Sequence, residues 1–266
     1  MLFRSMPIRS DLQIKDGAIH VRDNNRTDMR EKLPEVKLTD RLNSAKWGES
    51  VRKDAGQHAD DPALRDFEAA HTVLANGAKK LAAQREAQNP GQTQSAHLQD
   101  VHAQYERYLG SGARSMDKSR ASIKARIGSI DSEFRTRAKF SDSGSASEIR
   151  AVVRGMDDKQ KSEFIANAIS SEDGEALSAV LDGHPSLSGL TKGQIDNHRQ
   201  RAMQQLTPDL LKLERTLQKA DELLLQTFNE ALQVGDTLTA KDVRAKFDAE
   251  AQKATRARQE AQDSWG

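Results

Sequence analysis

The chain has no cysteine. Disulfides, thiolate nucleophiles and Cys-based metal sites are thereby excluded, and a reducing compartment fits this usage. Aromatic residues make up only 4% and hydrophobic residues 36%, against 30% charged. That supply suits thin helical layers better than a deep globular core. Long apolar runs are missing as well. No segment approaches the roughly 18 apolar residues that a membrane span needs, and the opening MLFRSMPIRSDLQIKDG lacks the apolar run of about 7 to 15 residues of a secretory signal. A soluble chain with neither signal peptide nor transmembrane segment is expected. Charge of one sign is not in excess either: 41 basic residues face 40 acidic ones, which excludes a uniformly basic nucleic-acid coat.

What remains is rich in Ala, Gln, Glu, Lys, Arg and Leu, the residues that lose least on entering a helix. The fold class is therefore all-α, as elongated helical hairpins or a bundle behind an extended N-terminal arm. Residues 1–60 form that arm. Leu12 and Ile14, then Ile19 and Val21, alternate around Lys15-Asp16-Gly17 and predict a short β-hairpin. Such a hairpin is marginal alone in water, so it is expected to lie on another part of the protein or on a partner. The stretch to Asp60 carries scattered apolar residues, Trp47 among them, without a sustained period.

Asp61-Pro62 is a helix start, with Asp as N-cap and Pro at the first helical position. Leu64, Phe67, His71, Leu74, Ala78 and Leu81 follow at spacings of three and four. Asn89-Pro90-Gly91 reverses the chain into an antiparallel helix with Leu98, Val101, Tyr105 and Tyr108 inside. Gly110-Ser111-Gly112 is expected to break it before a third run carrying Met116, Ile123, Ile127, Ile130 and Phe134. These make residues 61–140 a helical hairpin region. Residues 141–147, SDSGSAS, read as a linker, with Ser145 and Glu148 at capping-box spacing. Residues 148–266 then form a module of short helices ahead of a leucine-striped one. In that stripe Leu210, Leu213, Leu217, Ala220, Leu224, Thr227 and Ala231 keep a heptad-like alternation widened by Phe228, which supports either an intramolecular bundle or an oligomeric coiled coil. The last helix has a thin apolar face, Val243, Phe247, Ala251 and Ala254, and is expected on a surface or against a partner.

No chemical motif accompanies these helices. The seven histidines form no HExxH and no grouping with acids at ligand spacing, and GxxxxGK[ST], GxGxxG and GxSxG are all absent. The chain is accordingly read as non-enzymatic, with no catalytic residue, cofactor, metal or small-molecule ligand. One charge cluster stands out. From Arg114 to Lys139 eight basic residues face three acidic ones, and Arg114, Lys118, Arg120, Lys124 and Arg126 are the candidate phosphate contacts. Interleaved aromatics for stacking on single strands are missing.

In these features, and in phrases such as EALSAVLDGHPSLSGL at Glu175–Leu190, the chain resembles the helical virion structural proteins of tailed bacteriophages. The resemblance implies a many-copy capsid-associated or head-to-tail connecting protein, assembled in the host bacterial cytoplasm and located in the virion. Its partners would be further copies of itself or other structural subunits. The partner-binding candidates are Leu12, Ile14, Ile19, Val21, Trp47, Leu210, Leu213, Leu217, Leu224 and Phe228. Two alternatives stay open: a nucleic-acid-associated internal or ejected virion protein, and a secreted helical effector.

Overall fold

The computed structural model describes residues 31–141 and 144–265. Of the N-terminal hairpin it gives only a local backbone register, Leu12 opposite Val21 and Ile14 opposite Ile19. The hairpin's side chains and its place on the molecule lie outside the described residues, as does the arm between Arg22 and Arg30. The described fold is all-α.

Its frame is three long helices. The short α1 (Asp40–Asn43) and α2 (Lys46–Asp54) precede α3 (Pro62–Glu86) and α4 (Gln94–Arg137). Asp61 caps α3, its carboxylate accepting from Ala63 N at 3.0 Å, and Pro62 opens the helix. Thr93 caps α4, accepting from Ala96 N. The two helices run antiparallel and share the core through Leu64, Phe67 and Leu74 on one side and Ile123, Ile130 and Phe134 on the other.

α4 is unbroken over 44 residues, which corrects the interruption expected at Gly110-Ser111-Gly112. The reason is packing. Gly112 faces Leu74 so closely that a Cβ there would sit 2.7 Å from Leu74 Cδ2, and reciprocally a Cβ at Gly77 would sit 2.4 Å from the Tyr108 ring. Each helix thus offers a glycine notch to a large side chain of the other, and Tyr108 completes the contact by donating its hydroxyl to Leu74 O at 3.0 Å. A glycine's cost inside a helix, about 1 kcal/mol, is offset here by the closer approach. Gly77→Ala should therefore be destabilising by about 1–3 kcal/mol in urea unfolding although alanine is the better helix former. An increase in stability would mean that the ring can swing aside.

The leucine-striped helix, α10 (Pro208–Gln233), lies antiparallel to α4 and completes the bundle. Its register is pinned at three heights: Arg137 to Asp209 at 2.9 Å, Arg120 to Asp221 at 2.7 and 3.1 Å, and the Tyr105 hydroxyl to Ala231 O at 3.2 Å. Burial alone would raise the Asp209 carboxyl, but hydrogen bonds from Arg137 and His58 outweigh it and hold the group at about 2. Residues 31–60 lie along α3 and α10. Arg85, buried at the far end of α3, donates to Pro34 O; Thr39 and Arg41 both bond Glu230; Leu42 and Val51 enter the core; Lys219 meets Asp54 at 2.8 Å.

Between α4 and α10 come α5 (Ala146–Arg154), α6 (Asp158–Ser170), α7 (Gly174–Leu181), α8 (Pro185–Ser188) and α9 (Lys192–Leu206). Capping boxes start α6, at Asp157 with Gln160, and α9, at Thr191 with Gln194. The expected Ser145 box does not form. The Ser145 hydroxyl donates to Glu175 across the module instead. Gly174 packs on the Lys139 carbonyl, leaving no room for a Cβ, so the chain on either side of the predicted linker is locked to α7. One apolar core runs through all of this, from Leu42 to Leu238.

Beyond α10, the short α11 (Gly235–Leu238) leads to Ala240, which adopts a left-handed conformation (φ 46°) and redirects the chain into α12 (Lys241–Asp263).

Candidate interaction surfaces

The leucine stripe is not a free surface. Leu210, Leu213, Leu217 and Leu224 are fully buried against α3 and α4, and Phe228 is half-buried beside Gly112. The heptad pattern reports helix pairing within the chain. It could not tell that from pairing between chains, because both bury the same positions. Trp47, on α2, is 43% exposed and remains available. Leu12, Ile14, Ile19 and Val21 have side chains outside the described residues.

The basic stretch of α4 is also largely engaged. Lys118 faces Asp66, Arg120 holds Asp221, Arg126 reaches Asp61 at 2.6 Å, Arg135 pairs with Asp131 and Asp182, Arg137 with Glu133 and Asp209, and Lys139 with Glu172. Arg114 and Lys124 alone of the eight have no ion-pair partner among the described residues. Apart from Asp131 and Glu133 on α4 itself, the acids come from α3, α10, the turn before α3 and the two ends of α7, so a count confined to residues 114–139 found an excess that the fold largely neutralises. Arg126 illustrates why: the Asp61 carboxylate it meets is buried and caps α3, so the pair joins the start of one helix to the middle of another.

A second cation group lines an open cleft of about 670 Å³ between α2 and α10, with Lys53, Lys212, Arg215 and Lys219 around Pro208 and Leu211. Here too most of the charges have local compensation. Lys53 bonds Glu49, Lys219 bonds Asp54, and the Lys212 ammonium lies over Gly56 just past the C-terminal end of α2, where a cation stabilises the helix dipole.

α12 is different. Its first two turns are held: Val243 packs with Leu98 and Ala240, Arg244 donates to Thr239 O at 2.9 Å, Lys246 meets Glu31 at 3.0 Å, and Gln99 donates to Asp248 at 3.1 Å. From Asp248 to Trp265 every residue is exposed, and Trp265, at 86%, is the most exposed large hydrophobic residue described. Sixteen successive helical residues, Asp248 to Asp263, thus project, and beyond Asp248 none packs on another element among the described residues. Helices that short are marginal in water, and this one is carried by alanine, glutamine and charged residues of high helix propensity. Beside its root lies a cleft of about 560 Å³, lined by residues 32–35 and by Asp236, Thr237, Ala240 and Val243. The thin apolar face was the sequence signal for this element.

Among the described residues no group of three or more His, Asp or Glu is placed to hold a metal ion, and no helix is long and apolar enough to cross a membrane. Comparison with protein-family models, with curated proteins and with solved structures finds no match.

Proposed function

We propose that the protein is a non-enzymatic assembly component that joins other protein subunits through its projecting helix α12. The observation that carries this reading is the exposed run from Asp248 to Trp265. A helical run that buries nothing against the described residues contributes little to folding, whereas it is well suited to lie in a groove or beside a helix of a partner. The remainder of the chain serves as a rigid mount, since one continuous core ties α3, α4 and α10 to the helices around them. The arm before Glu31, with its predicted hairpin, would add a second contact. The resemblance to helical virion proteins of tailed bacteriophages gives the setting: a capsid-associated or connecting subunit acting by protein–protein contact.

A chain ending at Asp248 tests this. Its unfolding free energy should match that of the full chain within about 0.5 kcal/mol, because the deleted residues are exposed. Co-sedimentation with phage particles or their capsid and connector subunits should be lost. Retention of co-sedimentation by the shortened chain would remove α12 from the function.

A further inference from the structure

We infer that the partner of α12 is α12 of a second copy of this chain, paired antiparallel about a centre between Gln252 and Lys253; the inference rests on the reading of α12 as a docking element.

The case begins with the face. Phe247, Ala251, Ala254, Arg258 and Ala261 follow one another at spacings of four, three, four and three, which places them on a single stripe of the helix, with Trp265 two residues past its end. Phe247 is half-buried where the helix leaves the bundle; the rest of the stripe is exposed. It is a heptad seam with two alanines at its middle and an arginine in a position that apolar residues normally fill. Alone in water this arginine needs nothing. In a helix pair it must meet a carboxylate or an aromatic face.

Charge decides the orientation. The exposed stretch carries Asp248 and Glu250 at its root, then Lys253, Arg256 and Arg258, then Glu260 and Asp263. A parallel, in-register pair sets Arg258 against Arg258 and Asp248 against Asp248. An antiparallel pair centred near Arg256, which would overlap the exposed stretches end to end, lays root acids on terminal acids. Shifting the centre to residues 252 and 253 separates the arginines and takes Asp248 and Glu250 away from Glu260 and Asp263; Asp263 comes level with Asp242, but both lie on the side of the helix turned away from the seam. Arg258 of each copy then lies across the Phe247 ring of the other, flanked by that copy's Asp248 and Glu250, and Ala251 meets Ala254 at the axis, where small side chains let the helices approach. The same register brings the end of the helix at Asp263, two residues before Trp265, to the level of Asp242 in the other copy, close to Ala240. There Leu98, Ala240 and Val243 form an apolar cluster apart from the main core, next to the cleft at residues 32–35 and 236–243. The charges, the alanines and the tryptophan thus agree on one alignment.

The test uses the full chain, whose lack of cysteine makes engineered thiols unambiguous. Sedimentation should give a dimer whose dissociation constant rises by about tenfold or more in Arg258→Glu, since two exposed sites per dimer change from attraction to repulsion. Mixing Arg258→Glu with a Asp248→Lys, Glu250→Lys chain does not rescue all contacts, so the restoring variant carries all three changes in one chain and should dimerise again. Chains bearing Ala251→Cys and Ala254→Cys, mixed, should oxidise to the mixed dimer faster than either alone. These positions are solvent-exposed, so unaltered thermal unfolding of the variants is the folding control. A strictly monomeric chain, a dimer indifferent to Arg258→Glu, or preferential cross-linking of Ala251→Cys to itself would each overturn the proposal. If the chain is monomeric yet truncation at Asp248 still abolishes co-sedimentation, the docking role stands and only the self-pairing falls.

Discussion

Replacing Phe134 by alanine is expected to cost about 3–5 kcal/mol, the range for removing a fully buried phenylalanine from a close-packed core. The residue sits near the end of α4, and its ring contacts connect separate parts of the chain. Phe140, after the turn that follows α4, packs edge-on at 5.3 Å, and the Arg199 guanidinium of α9 lies 5.4 Å from the ring centroid. Arg199 also pairs with Asp131, one turn before Phe134, so truncating the ring leaves a largely buried cation with its carboxylate but without its platform. The measurement is urea unfolding in a Trp265→Phe background, which leaves Trp47 as the single tryptophan, followed by fluorescence and by circular dichroism. Trp47 lies on α2, well removed from Phe134 in the sequence, yet its transition should move with the helical signal because the core is continuous. Were the Trp47 transition to stay fixed while part of the helix signal melted early, the helices around α9 would be unfolding as a separate unit.

The second large effect is a loss of stability in mild acid. His71 is fully buried within α3, against Gly48 of α2 and near the Phe67 ring, and neither ring nitrogen has a hydrogen-bond partner. Burial pushes its pKa down to about 4 from an ordinary value of 6.5. Between those values the unfolded chain takes up a proton that the folded chain refuses. Stability from this group is therefore complete above about pH 6.5 and declines as pH falls towards 4, by about 3 kcal/mol in all. His71→Leu fills similar space with no titratable group. Its stability at pH 7 should equal or exceed that of the parent, and the difference between the two proteins should widen in its favour by about 3 kcal/mol at pH 4. Parallel pH profiles would show that the imidazole is hydrated in the folded protein.

Much of this architecture was legible in the residues. Asp61-Pro62 marks a helix start by local chemistry, and local chemistry does not depend on the rest of the chain. The two halves of α4 were readable too, as Leu98, Val101, Tyr105 and Tyr108 and then Met116, Ile123, Ile127, Ile130 and Phe134; the buried Gly112 and Ser119 join them into one stripe only in the structure. Gly112 was misread because glycine signals both flexibility and close packing, and only the opposing Leu74 separates the two. The surfaces were harder. Ion pairs such as Arg126 with Asp61 and Arg120 with Asp221 join residues 65 and 101 positions apart, so no local count of charge detects that the basic run is neutralised. The leucine stripe looked like a docking face for the same reason, since burial by one's own chain and by another's leave the same periodicity. α12 was recognisable by the reverse argument: an apolar face too thin to belong to the core.

The continuity of α4 also fixes a length. At 1.5 Å per residue, the distance from Leu98, which touches the root of α12, to Phe134, which meets α9, is roughly 50 Å along one uninterrupted helix. Anything that grips α12 and anything that grips the short helices at the other end are consequently held at a set separation. The helix is a ruler, and its graduation is the number of residues between two packing sites. Inserting or deleting seven residues, close to two turns, between Gly112 and Ile123 would alter that spacing by about 10.5 Å while rotating one end by only about 20°. A fold that contains such an element can measure the gap between two neighbours as well as join them.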